Sequence, residues 1–210
     1  MVTVSPEYPR TYRLPDSPGS VDPALIQHDL SWLDGELVVT EKMDGGNLTF
    51  TRDAIYARSP DSGPHGWDRP ARALWAMTAY RIPDDWRVCG ESMWARRHIA
   101  YTDLPGVFLV FGIFDETDTL LGWDDTVDWA IRLELPVVPV LYRGGSLSQA
   151  RAAWSAVRDE RASEGFVVRA AGRIAATDFP RQVVAWVRRD HSGTDAAARH
   201  PDDFPVNEFA

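Results

Sequence analysis

The sequence predicts an α+β domain with antiparallel sheets. Two observations carry that reading. Short β-prone runs separated by turn residues recur from residue 36 to residue 188, and the runs at 47–52 and 55–59, joined through Asp53 and Ala54, have the form of a hairpin. Apolar residues at helical spacing occur between strands, where amphipathic helices would cover a sheet.

Residues 1–35 carry Pro6, Pro9, Pro15, Pro18 and Pro23 and read as an irregular lead-in. Asp22 is placed to cap a short helix with Pro23 in its first turn. Asp34 and Gly35 signal a turn, and 36–40 reads as a strand. The hairpin follows, then a loop at 60–70 with Pro60, Gly63, Pro64, Gly66 and Pro70. A helix is expected over 69–80, packing through Ala73, Leu74, Met77 and Tyr80. Residues 86–91 form the next strand. The nearly continuous apolar run at 108–115 predicts a strand buried on both faces. Asp124 is the expected cap of a helix carrying Val127, Ala130 and Ile131. A strand at 137–141 is placed at a sheet edge by Pro139, which cannot donate to a ladder. Ser146 to Gln149 has the form of a capping box, opening a helix with Leu147, Ala150, Trp154 and Val157 on one face. Strands at 163–169 and 183–188 complete the domain. The expected organisation is therefore a lead-in (1–35), a domain (36–191) and a loosely ordered tail (192–210) rich in Ala, Asp and Pro.

Composition narrows the function. The chain has 210 residues, 44% of them apolar, with nine Trp, enough for a substantial core. It lacks an apolar run of about 18 residues, so no membrane span is expected, and the N-terminus has no apolar signal core. A single cysteine, Cys89, forbids an internal disulfide and fits a reducing cytoplasm. The net charge of −9 argues against a broad basic nucleic-acid surface, so a nucleic-acid substrate would need a local arginine-lined groove. The five histidines are scattered, and no CxxC, HExxH or Walker pattern is present, which argues against structural zinc and P-loop chemistry.

One residue stands out. Of the 22 Lys plus Arg, only Lys42 is lysine. Arginine is always protonated, whereas a lysine amine can lose its proton and act as a nucleophile. Lys42 sits between a strand and an Asp-Gly-Gly turn, which favours a reactive role over a leftover surface cation. Other candidates stay open on their own. Glu91 is either a strand-end surface carboxylate or an acceptor for a ribose hydroxyl. Arg58 is either an exposed strand charge or a phosphate contact. One of the phenylalanines in 108–115 can serve as a base platform, with the others in the core. His98, beside two arginines, is more simply structural.

Lys42-Met43-Asp44-Gly45 resembles motif I of the covalent nucleotidyltransferases, the superfamily of DNA ligases, RNA ligases and mRNA capping enzymes. Cys89-Gly90-Glu91 resembles the Gly-Glu core of motif III, 108–115 the apolar motif after it, and Glu164-Gly165-Phe166-Val167 motif IV. Residues 183–189 occupy the place of motif V. Order and spacing agree across 36–191, and the pattern is most similar to ATP-dependent RNA ligases of the T4 RNA ligase 2-like group.

The resemblance implies a ligase adenylation domain with antiparallel sheets around an ATP cleft, with no OB domain after motif V. It also implies an activity: joining RNA 3′-hydroxyl and 5′-phosphate ends through a lysyl-AMP and an adenylylated RNA end. Lys42 is then the nucleophile and Glu41 lies near adenine. Asn47 and Arg58 contact ribose, phosphates or the RNA end. Glu91 holds the ribose, Phe111 stacks on the base, and Glu164 supports a Mg²⁺ or Mn²⁺ ion and the reacting lysine. RNA ends are the implied substrate, with an accessory protein as one source of further RNA docking. Motif V departs from the family pattern: Ala185 stands in the expected strand and no lysine is present there, leaving Arg188 and Arg189 to replace the charge. The alternatives are a degenerate ligase that binds nucleotide or RNA ends without sealing, and an adenylyltransferase acting on DNA or protein.

Overall fold

The computed structural model describes residues 7–18, 22–58, 66–188 and 204–210. Ser59, residues 60–65 of the loop expected over 60–70, Arg189 and the first part of the expected tail lie outside the described residues. The elements in chain order are β1 (Tyr12–Arg13), β2 (Leu37–Glu41), β3 (Gly46–Phe50), β4 (Ile55–Ala57), α1 (Arg69–Thr78), β5 (Arg87–Ser92), β6 (Phe108–Phe114) and β7 (Thr119–Leu120). They continue with α2 (Trp123–Arg132), β8 (Val140–Gly144), α3 (Leu147–Glu160), β9 (Gly165–Ala170), β10 (Ile174–Ala175), α4 (Phe179–Gln182) and β11 (Val183–Val187).

The strands form two sheets. One runs β1-β11-β9-β2-β8 and the other β10-β7-β6-β5-β3-β4. All pairings are antiparallel except β1 with β11. The expected hairpin is present as β3–β4, with Thr49 opposite Tyr56. β8 lies at a sheet edge, just after Pro139. The segment 136–139 stitches the sheets together: Pro136 O accepts from Val110 N (2.8 Å) in β6, and Pro139 O accepts from Glu41 N (2.9 Å) in β2.

Apolar burial divides along these layers. Phe50, Val88, Phe108, Val110 and Ile113 pack beneath α1 and α2, whereas Leu37, Val39, Phe166, Val168 and Val184 pack beneath α3. The α3 cap is as expected, with Ser146 Oγ accepting from Gln149 N (3.3 Å). Ala150 and Trp154 are buried on the predicted face. No helix among the described residues is long and apolar enough to cross a membrane.

Several expectations are corrected. The α1 face is rotated: Ala71, Leu74, Trp75 and Thr78 pack inward, while Met77 and Tyr80 are 64% and 65% exposed. Trp75 decides this, because its indole N–H reaches Thr51 O (2.8 Å) from the inner face. In α2 the cap is Gly122, not Asp124, and Ile131 is exposed. The Asp124 carboxylate is taken instead by a two-pronged contact from Arg143 (2.6 and 2.9 Å). The lead-in is not wholly irregular, since β1 adds a strand to the first sheet. The end of the tail docks: Asn207 is buried, its Nδ2 donating to Met93 O (2.8 Å) and its Oδ1 accepting from Tyr101 N (3.0 Å).

Candidate active site

A cleft of about 530 Å³ lies where the two sheets face each other. Lys42 follows β2 directly, and its backbone N–H still donates to Gly165 O (3.0 Å) in β9. The strand ladder therefore fixes where the side chain begins. Nζ contacts both carboxylate oxygens of Glu164, at 2.7 and 2.8 Å. Glu164 is nearly buried, whereas the lysine side chain is 30% exposed toward the cleft.

The turn after Lys42 is held by side chains rather than by ladder bonds. Asp44 is buried, and its Oδ2 accepts from the backbone N–H groups of His98 (2.8 Å) and Ile99 (2.9 Å). Tyr101 Oη accepts from Asp44 N (3.0 Å). Gly45 N donates to Glu91 Oε1 (3.2 Å), and a Cβ at Gly45 would lie 2.4 Å from Ser92 O. Only glycine permits that approach. Gly165 is constrained in the same way, since a Cβ there would meet Trp186 O at 2.0 Å. Asp44 and the glycines of the two motifs thus fix the backbone that carries Lys42 and Glu164. His98 is part of the same anchorage.

Glu91 projects from β5 in the opposite sheet, paired in register with Asn47. Burial pushes its carboxyl up to about 7, opposed by the Lys42 charge and reinforced by Glu164. The lysine therefore sits between carboxylates from two sheets. Asn47 lines the cleft with its Oδ1 buried and without a hydrogen-bond partner among the described residues. Phe111 also lines it, meeting Tyr8 edge-on at 4.7 Å, while Phe108 and Phe114 are core. Arg58 lines it too. Glu41, at the cleft edge, has a fully buried carboxylate gripped by both terminal nitrogens of Arg161.

Arg188 does not line the cleft. Its backbone N–H donates to Glu164 O (3.1 Å), and strand alternation sets it with Trp186 on the side away from Ala185. The cations that do line the cleft besides Lys42 and Arg58 are Arg13, Arg97 and Arg169. Sequence reasoning assigned a role to none of these three. Arg97 was flagged only as a neighbour of His98. Arg169 ends the motif IV strand, and burial lowers its guanidinium to about 10. β1 is two residues long and lies among prolines, so no alternation marks it in the sequence. Together these side chains form the local arginine-lined groove that an acidic chain needs to receive phosphates.

No group of three or more His, Cys, Asp or Glu side chains is placed to hold a metal ion among the described residues. Mg²⁺ and Mn²⁺ are commonly held by one or two carboxylates and substrate phosphates rather than by a protein cage. The carboxylates that line the cleft are Glu41, Asp68 and Glu91, while Glu164 meets Lys42 beside that lining.

Known structures share the architecture. An archaeal ATP-dependent RNA ligase superposes with a TM-score of 0.61 at 16% identity, covering 87% of this chain and 48% of that one. A putative ATP-dependent DNA ligase from Aquifex aeolicus gives 0.55 at 18% identity, covering 87% and 50%. A variant of Naegleria gruberi RNA ligase solved with ATP and Mn gives 0.53 at 15% identity, covering 77% and 52%. This chain thus spans about half the length of the structures it matches. No curated protein matches the sequence. The sequence profile described as RNA ligase matches residues 35–187, the span that holds Lys42, Glu91, Glu164 and the strands that aim them, and the chain belongs to that family.

Proposed function

We propose that this chain is the nucleotidyltransferase unit of an ATP-dependent RNA ligase, with Lys42 carrying AMP as a covalent intermediate. The observation that carries this reading is the placement of the chain's one lysine. Its amine meets Glu164 and opens onto a cleft lined by Glu91 and four arginines. The Naegleria gruberi RNA ligase solved with ATP and Mn supports a nucleotide and a divalent metal as the ligands.

In the proposed first step the Nζ lone pair attacks the α-phosphorus of ATP. The N–P bond forms as the P–O bond to pyrophosphate breaks, and pyrophosphate leaves with the electron pair. Nζ must first give up a proton, and the Glu164 oxygens are in place to accept it or pass it to solvent. Phe111 offers a ring face to adenine, Glu91 an acceptor to the ribose, and Asn47 and Arg58 polar contacts to ribose, phosphates or the RNA end. Glu41 lies at the adenine side. Glu164, together with phosphate oxygens, would hold Mg²⁺ or Mn²⁺, which would supply charge compensation for the leaving pyrophosphate. An RNA 5′-phosphate oxygen then attacks the lysyl-AMP phosphorus and frees the amine. Finally a 3′-hydroxyl attacks the activated 5′-phosphorus and releases AMP.

Ala185 on the cleft wall favours a second reading, a binder of nucleotide or RNA ends that does not seal them. Incubation with α-labelled ATP and Mg²⁺ or Mn²⁺ separates the two. A covalent label absent in Lys42→Ala supports the enzyme, and ATP binding without label supports the binder. Sealing assays on nicked and single-stranded RNA and DNA, with protein acceptors in parallel, then identify the acceptor.

A further inference from the structure

β1 is two residues long, yet its backbone is held on both sides. Arg13 lies opposite Ala185 in parallel register, and Leu14 N donates to Ala185 O (2.9 Å). On the other side Arg13 O accepts from Gln27 N (2.9 Å). Leu14 is buried at 1% exposure in the cluster beneath α3, so alternation turns Arg13 to the opposite face of the sheet. That face is the cleft wall, where Arg13 and Ala185 are neighbours.

The guanidinium is unsatisfied. Arg13 makes no ion pair or side-chain hydrogen bond to any described residue, and its Nη1 is buried without a partner. Arg169 also has a buried Nη1 without a partner among the described residues, but its Nε and Nη2 donate to the backbone carbonyls of Ala170, Leu121 and Gly172. Nη1 carries two of the five guanidinium N–H donors, and leaving them dry without an acceptor is unfavourable. Such a group is explained by an anion that the cleft is built to receive. Burial weakens the hold of Arg13 on its proton and the negative charge of Glu164 strengthens it, so Arg13 lies within electrostatic reach of the carboxylate that holds Lys42. The methyl side chain of Ala185 leaves open the space over which a long neighbour can extend.

We infer that Arg13 is a phosphate-binding residue of the cleft, supplying from β1 the cation that Ala185 does not provide on β11. The inference rests on the reading of the cleft as a nucleotide site. It exchanges the strand that delivers the charge while keeping the place of the charge.

The test titrates inorganic tripolyphosphate and adenosine separately by calorimetry, beside the ATP-labelling assay. Arg13→Ala should weaken tripolyphosphate binding about 10- to 100-fold, the range for a charge-assisted contact. Adenosine binding should stay within about twofold, as should both ligands in the exposed-site control Arg10→Ala. Arg13→Ala combined with Ala185→Lys should recover about tenfold of the loss. If Arg13→Ala does not fold by circular dichroism, Arg13→Gln carries the same expectation. Equal tripolyphosphate affinity in wild type and variant overturns the inference, and so does a double variant no better than the single one. A wild type that forms no covalent label, yet loses tripolyphosphate affinity on Arg13→Ala, refutes the ligase reading and keeps the inference. A wild type that binds no tripolyphosphate overturns both.

Discussion

Two ion pairs, formed by consecutive residues, join the end of β2 to the segment ahead of β9. Glu41 pairs with Arg161, and Lys42 pairs with Glu164. In the first the acid is buried and the base is 45% exposed; in the second the acid is nearly buried and the base is 30% exposed. The frames are alike, and the cations differ. A guanidinium cannot give up its proton and grips a carboxylate with two nitrogens, so Glu41–Arg161 is a clasp. An ammonium is a compact charge that can be deprotonated, so Lys42–Glu164 is a contact that an entering phosphate can part. The ladder decides position, and the choice of cation decides chemistry.

The sharpest way to break this contrast is Lys42→Arg. The variant keeps a positive charge within reach of Glu164, so its Tm should stay within about 2 °C of wild type. Labelling by ATP should fall at least about 10³-fold, because the nucleophile is gone. A labelled Lys42→Arg protein would show that the amine is not the acceptor. Next in size is Glu164→Gln, which keeps a hydrogen-bond acceptor and removes the charge. The single-turnover labelling rate should fall about 10²-fold, the usual scale for a positioned proton acceptor. An unchanged rate would reduce Glu164 to a tether.

The two pairs were not equally legible in the sequence. Lys42 was, because every other basic residue is arginine, and Glu164 followed from its place in a motif. Arg161 was not, since nothing in a helix-ending Glu-Arg-Ala-Ser marks a partner for an acid on a distant strand. The same limit explains Arg13 and Arg188. The two-residue β1 is too short for periodicity to expose, and its partner β11 comes from the far end of the chain. Arg188 sat in the right strand region but on the wrong parity. The helix faces failed for another reason: in Ala71-Arg72-Ala73-Leu74 more than one apolar stripe satisfies a 3.6-residue period, and only the Trp75–Thr51 contact chooses between them. The strand at 108–115 was read correctly where β-branched and aromatic residues ran together, whereas the one expected over 137–141 forms as β8, which begins only after Pro139.

If Glu41–Arg161 is a clasp, breaking it should cost stability before chemistry. Arg161→Met leaves a buried carboxylate without its partner. Because Arg161 is half exposed, the expected loss is about 1–3 kcal/mol rather than the larger cost of splitting a fully buried pair. Urea denaturation should show it as a lower midpoint with an unchanged slope. Labelling of the folded protein, at saturating ATP, should stay within about threefold. A variant of full stability with lost labelling would reverse the roles assigned to the two pairs.

The smallest effect separates the pairs by reach. The Glu91 carboxyl is raised from its ordinary 4.5 to about 7, with burial raising it and Lys42 as the leading opposing influence. A carboxyl raised in this way holds its proton more tightly in the folded chain than in the unfolded one. Its contribution to stability is fully present below 4.5 and is lost as pH rises toward about 7. Glu91→Gln should therefore remove a decline in stability across that window, read from urea midpoints at closely spaced pH values. Removing the opposing charge in Lys42→Ala should push the Glu91 titration, followed by carboxyl ¹³C shifts, above its wild-type midpoint. Arg161→Met should leave that midpoint in place, because the clasp faces Glu41 and the charges that act most on Glu91 are those of Lys42, Glu164 and Arg97. Equal shifts in the two variants would mean that the Lys42 charge is no more directed into the cleft than that of Arg161, and the distinction between clasp and nucleophile would rest on deprotonation alone.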